Sequence, residues 1–191
     1  MAADLTGTRR LIVALGEGDG AANLVYVSIV GVEHSRLPYY VAKRAVERGV
    51  ESSGLAWSIV RATQFHSFVL SVLQSLVDDR GTLTVPDGTF LQPVDADEVA
   101  ARLVAVADGQ PLRRIALFGG PEVLSLEHMA RAYQETRGLP GSVRVGVVHD
   151  PMLDAWRSRD QITPEHAEGK LTWQQLLDRD VGRSVVKQSG A

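Results

Sequence analysis

The sequence has no cysteine among its 191 residues. This absence excludes disulfide bonds, catalysis by a thiolate and zinc sites built from cysteine ligands. It is compatible with a reducing cytoplasm, where we expect the protein to be located. The five histidines show no metal-binding spacing such as H-x-x-x-H, so we predict no metal site.

Long apolar runs and an excess of one charge are also missing. The N-terminal run "LIVAL" is too short for a signal peptide, and no stretch approaches the ~20 apolar residues of a membrane span. The net charge of −3 favours neither a nucleic-acid nor a membrane partner. With 45% hydrophobic and 23% charged residues, the composition is that of an ordinary soluble globular protein.

The first half of the chain alternates strand and helix patterns. The runs "NLVYVSIVG" (23–31) and "AWSIVRA" (56–62) are apolar and β-branched, as in parallel strands covered on both faces. Helices are predicted before them at 6–15 and after them at 37–54 and 64–79. This order is typical of an α/β protein with right-handed crossovers in a doubly wound parallel sheet.

The second half follows a different pattern. A turn-rich β segment at 81–95 leads to helices at 95–110 and 124–138, with strands at 113–120 and 142–149. A weak helix near 151–158 and a final helix at 171–180 complete it. We therefore divide the chain into a sheet domain (1–80), a small α/β segment (81–180) and a disordered tail (181–191).

Polar residues at the helix starts are interpreted as caps. Asp95 and Glu98 have capping-box spacing, as do Thr172 and Gln175, and Ser125 precedes another helix. A pair of catalytic carboxylates is the alternative interpretation of the acidic residues at 95, 97 and 98, but N-capping and the helix dipole account for them.

One helix start carries a candidate proton donor. Tyr39 precedes Lys43 by four residues, so both side chains share one helix face. A nearby ammonium favours the phenolate and makes the tyrosine a usable acid at neutral pH. Ser28 ends the preceding strand, from which its hydroxyl could bind a substrate carbonyl. Tyr40 is the competing tyrosine, but only Tyr39 has this spacing to the lysine.

A serine at a strand end, a short loop and Tyr-x-x-x-Lys at a helix start resemble the short-chain dehydrogenase/reductase superfamily. The words "YVSIVG", "YYVAK" and "SGLAWSIVRATQFH" resemble in particular its atypical, NmrA-like branch, which binds NAD(P)H. Further along, "PVDADEVAARLVAVA" and "LTWQQLL" are similar to the substrate-side segment and the C-terminal helix of that branch. The resemblance implies a partial Rossmann-like fold with a small C-terminal α/β substrate-side segment.

The resemblance also implies roles for individual residues. Tyr39 would be the proton donor, Lys43 would tune it and bind the nicotinamide ribose, and Ser28 would orient the substrate carbonyl. The turn against the nicotinamide of NAD or NADP would consist of Ala62, Thr63, Gln64 and Phe65.

A glycine-rich turn between a first strand and a helix, which a dinucleotide pyrophosphate requires, is not found. Gly16, Gly18 and Gly20 have the wrong spacing, lead into a strand and flank the acidic Glu17 and Asp19. The resemblance therefore begins in the middle of the family's pattern, and roughly 60 to 90 residues of it are missing upstream. We expect NAD(P)H binding by this chain alone to be weak.

Two functions remain open from the sequence. The first is an N-terminally truncated NAD(P)-dependent oxidoreductase, weak or inactive by itself, that transfers hydride to a small carbonyl-type substrate once completed. The second is a non-catalytic NmrA-like sensor or pseudo-enzyme that acts through protein contact. In both cases the strand at 23–31 becomes a sheet edge, which a second copy or another partner would cover.

Overall fold

A computed structural model describes residues 2–17 and 23–188, with side chains from 6 to 17 and from 23 to 180. Its helices are α1 (Ala2–Gly16), α2 (Pro38–Glu51), α3 (His66–Ser75), α4 (Ala96–Asp108), α5 (Leu126–Arg137), α6 (Pro151–Trp156) and α7 (Trp173–Gln188). Its strands are β1 (Asn23–Ile29), β2 (Ala56–Ala62), β3 (Leu83–Val85), β4 (Phe90–Leu91), β5 (Ile115–Phe118), β6 (Leu124–Ser125) and β7 (Val143–Val145).

The main sheet is parallel, with the strand order β1-β2-β5. Strands β1 and β2 are in register with Ser28 opposite Arg61, so these two side chains lie on the same face. On that face, α2 and α1 cover a core that includes Tyr26, Val46 and Ile59. The opposite face packs against α4. The α/β fold with a parallel sheet is as the sequence predicts.

Two small sheets form the second half of the chain. Strand β3 pairs in parallel with β7, and β4 pairs antiparallel with β6. They surround the largest apolar cluster, in which Trp156 and Trp173 are almost completely buried. The side chains of this cluster come from α3, α5, α6 and α7 as well as from the small sheets, so these helices pack around one apolar core.

Most predicted helix ends agree with the structure. The Ser125 hydroxyl accepts a hydrogen bond from the His128 amide, and Thr172 and Gln175 form the reciprocal bonds of a capping box. Helix α7 continues to Gln188, where the sequence predicted a disordered tail from 181, and residues 189–191 lie outside the described residues.

The predicted capping box of α4 is wrong in one partner. Asp95 accepts a hydrogen bond from the Asp97 amide, as a cap should. The Glu98 carboxylate, however, accepts bonds from the amides of Lys170 and Leu171, 72 and 73 residues along the chain. Glu98 therefore ties the C-terminal segment to α4 instead of closing the start of its own helix.

Candidate functional site at the carboxyl end of the sheet

Lys43 connects helix α2 to the carboxyl end of β1. Its ammonium donates a hydrogen bond of 3.3 Å to the Val27 carbonyl. The same ammonium lies 4.8 Å from the ring centroid of Tyr26 and 5.9 Å from that of Tyr39. The structure thus brings the predicted Tyr39 and Lys43 together, and it holds the cation by a backbone carbonyl beside Ser28.

The two adjacent tyrosines have different surroundings. Tyr39 is 51% exposed, whereas Tyr40 is 7% exposed, and their rings meet edge to face at 6.2 Å. Burial raises the pKa of Tyr40 above its ordinary value, although the neighbouring Trp156 side chain opposes the shift. The buried Tyr40 is therefore a poorer acid, and Tyr39 is the tyrosine open to a ligand.

Ser28 belongs to a buried polar cluster below this pair. Its side chain is almost completely buried on the face of β1 that meets α2. Burial would raise the pKa of Glu47, but hydrogen bonds from Arg61 and Arg44 and the charge of Arg61 hold it below its ordinary range. The Ser28 hydroxyl is buried on this face and has no hydrogen-bond partner among the described residues.

Arg61 is the centre of that cluster. Its guanidinium donates to both oxygens of Glu47 at 2.8 Å and to both oxygens of Glu33 at 2.7 and 2.8 Å. Because Glu33 lies in the loop after β1, Arg61 fixes this loop and helix α2 to the same strand end.

Glu47 and Arg61 were not among the site residues predicted from the sequence. Two signals were present: Arg61 is the one charged residue in the apolar word "AWSIVRA", and Glu47 follows Lys43 by one further helical turn. A charge in a strand covered on both faces must be paired, which predicts an opposite charge on the covering helix.

The predicted nicotinamide turn lies at the end of β2. Ala62, Thr63 and Gln64 are buried there, whereas Phe65 is 37% exposed. The Thr63 hydroxyl accepts a hydrogen bond from the Gly120 amide, and the Gln64 amide group donates to the Gln161 carbonyl. These two polar side chains bind the protein's own backbone, and the carbonyls of residues 62, 64 and 65 also accept bonds from within the protein, so the turn offers a ligand the Phe65 ring.

A cavity of about 390 Å³ opens next to Tyr40. One wall is the loop 31–37 after β1, and the other is α6 with the residues that follow it. Tyr40 and Trp156 line it, whereas Tyr39 lies outside the lining. The cavity and the Tyr39–Lys43 pair therefore adjoin the same end of α2 from different sides.

At the carboxyl ends of β1 and β5, other atoms of the protein fill the space next to the glycine Cα atoms. A Cβ atom at Gly31 would lie 2.4 Å from the Asp160 carbonyl oxygen, and Cβ atoms at Gly119 and Gly120 would overlap Gln92 and Pro93. Within residues 23–188, these turns leave no glycine backbone open to a pyrophosphate. Gly16 ends α1, and Gly18 and Gly20 lie outside the described residues.

No protein-family model matches the chain, and no curated protein matches its sequence. Solved structures do match. An NADPH complex of the Escherichia coli NADPH-dependent quinone oxidoreductase QOR2 superimposes with a TM-score of 0.74 at 13% identity, covering 95% of this chain and 73% of that one. A nucleoside-diphosphate-sugar epimerase from Staphylococcus aureus matches with a TM-score of 0.71 at 15% identity, covering 91% and 70%.

The negative transcriptional regulator NmrA matches with a TM-score of 0.58 at 17% identity, covering 83% of this chain and 56% of that chain. At these identities the matches show a shared fold. The chain therefore has the Rossmann-like α/β fold of these proteins, in agreement with the fold predicted from the sequence. Within the described residues, no helix has the length and apolar character needed to cross a bilayer.

Proposed function

We propose that this chain is the nicotinamide and substrate side of an NAD(P)-dependent oxidoreductase that reduces a small carbonyl compound. The observation that supports the proposal most directly is the Tyr39–Lys43 pair at the carboxyl end of β1. An ammonium held on the Val27 carbonyl at 3.3 Å lies 5.9 Å from the ring of a half-exposed tyrosine. Ligands of open α/β sheets bind at this end of the strands.

The chemistry assigned to these residues is a two-electron reduction. A reduced nicotinamide, when bound, supplies a hydride to the carbonyl carbon of the substrate. The Tyr39 hydroxyl donates a proton to the carbonyl oxygen, so that an alcohol forms and the nicotinamide is left oxidised. The Lys43 ammonium stabilises the phenolate that remains on Tyr39.

The residues fit the nicotinamide end of the cofactor better than its pyrophosphate end. Tyr39 and Lys43 lie at the carboxyl end of β1, and Phe65 follows the carboxyl end of the neighbouring β2, where a nicotinamide would be held. The glycines at the carboxyl ends of β1 and β5 are filled by Asp160, Gln92 and Pro93. We therefore expect weak binding of NAD(P)H, because contacts with the remote part of a cofactor position its reactive end.

A Tyr39→Phe substitution tests this proposal. With NADPH at millimolar concentration and an aromatic ketone, we expect kcat to fall about 10²- to 10³-fold, since a general acid typically contributes that much. Tyr133→Phe is the matched control, because Tyr133 is a buried tyrosine of the apolar cluster that contains Trp156 and Trp173. Equal turnover by Tyr39→Phe and the parent, with both folded, would show that Tyr39 is not the acid.

The similarity to NmrA and the position of β1 at the edge of the described sheet favour a second candidate. In this alternative the protein is a non-catalytic sensor, and a second copy or another protein pairs with β1. It predicts a stable dimer in size-exclusion chromatography and no effect of Tyr39→Phe on any activity, which is the opposite of the first candidate.

A further inference from the structure

The cavity beside Tyr40 has the size of a small-molecule site and is partly open to solvent. Its volume of about 390 Å³ lies within the usual range of 300–1,000 Å³ for such sites. Its two walls are locked together where Gly31 meets the backbone of Asp160 and Gln161. The cavity is therefore built by contacts between segments 130 residues apart in sequence, and not by a gap in a loose surface loop.

Two aromatic side chains contribute to the wall of the cavity. Tyr40 and Trp156 are 7% and 1% exposed, and both line it together with the half-buried Leu37. Aromatic rings in a preformed pocket bind flat apolar groups, and their negative faces also attract cations. A ligand with an aromatic ring fits this surface.

The rim of the cavity carries more negative than positive charge. Asp154 and Asp160 stand on one wall, and Arg36 stands on the other with His34 beside it. Among residues 6–17 and 23–180, neither of the two carboxylates forms an ion pair, and neither does Arg36. Arg36, Asp154 and Asp160 together give the lining a formal charge of −1, whereas side chains that bind phosphate or carboxylate groups are most often arginine or lysine.

We propose that this cavity binds an uncharged or cationic aromatic ketone and discriminates against anionic ones, including the phosphate-bearing nucleotide sugars. That the ligand is the compound reduced rests on the function proposed above; its binding and its charge preference rest on the cavity alone. The two carboxylates of Asp154 and Asp160 are the residues that determine this selectivity.

Three para-substituted acetophenones test the charge preference with the ring and the ketone unchanged. They are 4-acetyl-N,N,N-trimethylanilinium, 4-tert-butylacetophenone and 4-acetylbenzoate, which are cationic, neutral and anionic. Dissociation constants are measured by ligand-observed NMR on the full chain without cofactor. We expect the cation to bind about tenfold more tightly than the anion at low salt, and this ratio to shrink at 0.5 M salt.

The double variant Asp154→Asn/Asp160→Asn should reduce the cation-to-anion ratio to about twofold or less. Asp79→Asn/Asp108→Asn is the matched control, since it removes the same total charge from exposed positions outside the cavity and should leave the ratio near the parent value. Both variants change exposed side chains, so their folds are expected to persist, and circular dichroism checks this.

The proposal is overturned if none of the three ketones binds, if the anion binds as tightly as the cation, or if the two double variants behave alike. The proposal that the cavity binds these ketones and the proposal that the protein reduces them can be tested separately. Selective binding without turnover leaves the cavity assignment standing and removes the reductase, whereas turnover that depends on Tyr39 without charge selectivity does the reverse.

Discussion

The Glu47–Arg61 pair shows how individual residues stabilise the site, because it lies between helix α2 and the sheet face that this helix covers. Glu47 has no exposed surface and Arg61 is 6% exposed, so each charge depends on the other after both have left water. Their hydrogen bonds also join α2, which carries Tyr39 and Lys43, to the strand that ends in the turn 62–65. Removing Glu47 would leave Arg61 with the half-exposed Glu33 as its remaining partner, and removing Arg61 would leave Glu47 with Arg44.

We therefore predict that Glu47→Gln lowers the free energy of unfolding by about 1.5–3 kcal/mol, the usual contribution of buried hydrogen bonds to a charged group, because Arg61 keeps its pair with Glu33. The control is Glu127→Gln, which breaks the exposed pair of Glu127 with Arg131 on α5 and should cost less than about 1 kcal/mol. Urea denaturation followed by circular dichroism measures both. Similar losses in the two variants would contradict the importance of the buried pair.

His66 makes stability depend on pH. Burial lowers the pKa of His66 from 6.5 to about 4, although the charge of Asp95 opposes the shift. Because the folded state has the lower pKa, the unfolded chain takes up the proton first as the pH falls below 6.5. Stability attributable to His66 is thus complete above pH 6.5 and is lost progressively down to about pH 4.

Between pH 7 and pH 5 this loss should be about 2 kcal/mol. In His66→Leu it should disappear, so that unfolding energies at the two pH values differ by about 2 kcal/mol less than in the parent. The buried Glu47 has a lowered pKa and loses its contribution only below its ordinary value of 4.5, outside this window. The same pH dependence in parent and variant would exclude His66 as its source.

At the scale of elements, Gly31 joins the loop after β1 to the segment after α6. It has φ = 76° and leaves no room for a Cβ atom, whereas Gly54 has φ = 75° with open space around it. Alanine at Gly54 should cost about 1–2 kcal/mol from the left-handed backbone alone. Alanine at Gly31 should cost about 1–3 kcal/mol more, because it also pushes the two segments apart.

Thermal or urea unfolding of Gly31→Ala and Gly54→Ala checks this difference, and the ketone titrations above should show weaker binding in Gly31→Ala only. If the two variants unfold alike and both bind the ketones normally, the contact between Gly31 and Asp160 does not hold the cavity walls together.

The elements that the sequence predicted well are those with local causes. The strands "NLVYVSIVG" and "AWSIVRA" are apolar because both faces of the sheet are covered, and the caps Ser125 and Thr172 act on amides within three residues. The Tyr39–Lys43 contact is also local, since a separation of four residues in a helix fixes their common face.

The contacts that the sequence could not predict are long-range. Strand β3 pairs with β7 about 60 residues further on, and Glu98 binds amides 72 residues away. The buried side chains of Gln64, Gln92 and Gln161 likewise form long-range hydrogen bonds. Each of them bonds to a backbone group at, or two residues from, another of these three glutamines. Buried amides require such partners, but no periodicity in the sequence says which backbone supplies them.

At the scale of the whole molecule, we propose that the described chain supplies the proton-transfer and substrate sides of a reductase, with the glycines at the carboxyl ends of β1 and β5 closed to a pyrophosphate. Its fold matches about 73% of the QOR2 chain that was solved with NADPH. The three-stranded sheet positions Tyr39 and Lys43 at its carboxyl edge, and the second half of the chain closes the cavity beside them. We propose that the carboxyl edge of this sheet is a nicotinamide site.

Calorimetric titration with NADPH and with reduced nicotinamide mononucleotide, which lacks the adenylate half, tests that claim most directly. We predict similar dissociation constants of about 1 mM or weaker for both. Lys43→Met should weaken both at least tenfold, whereas Lys170→Met, at an exposed position, should not. An NADPH constant of about 1 μM or tighter, or mononucleotide binding that Lys43→Met leaves unchanged, would contradict the account.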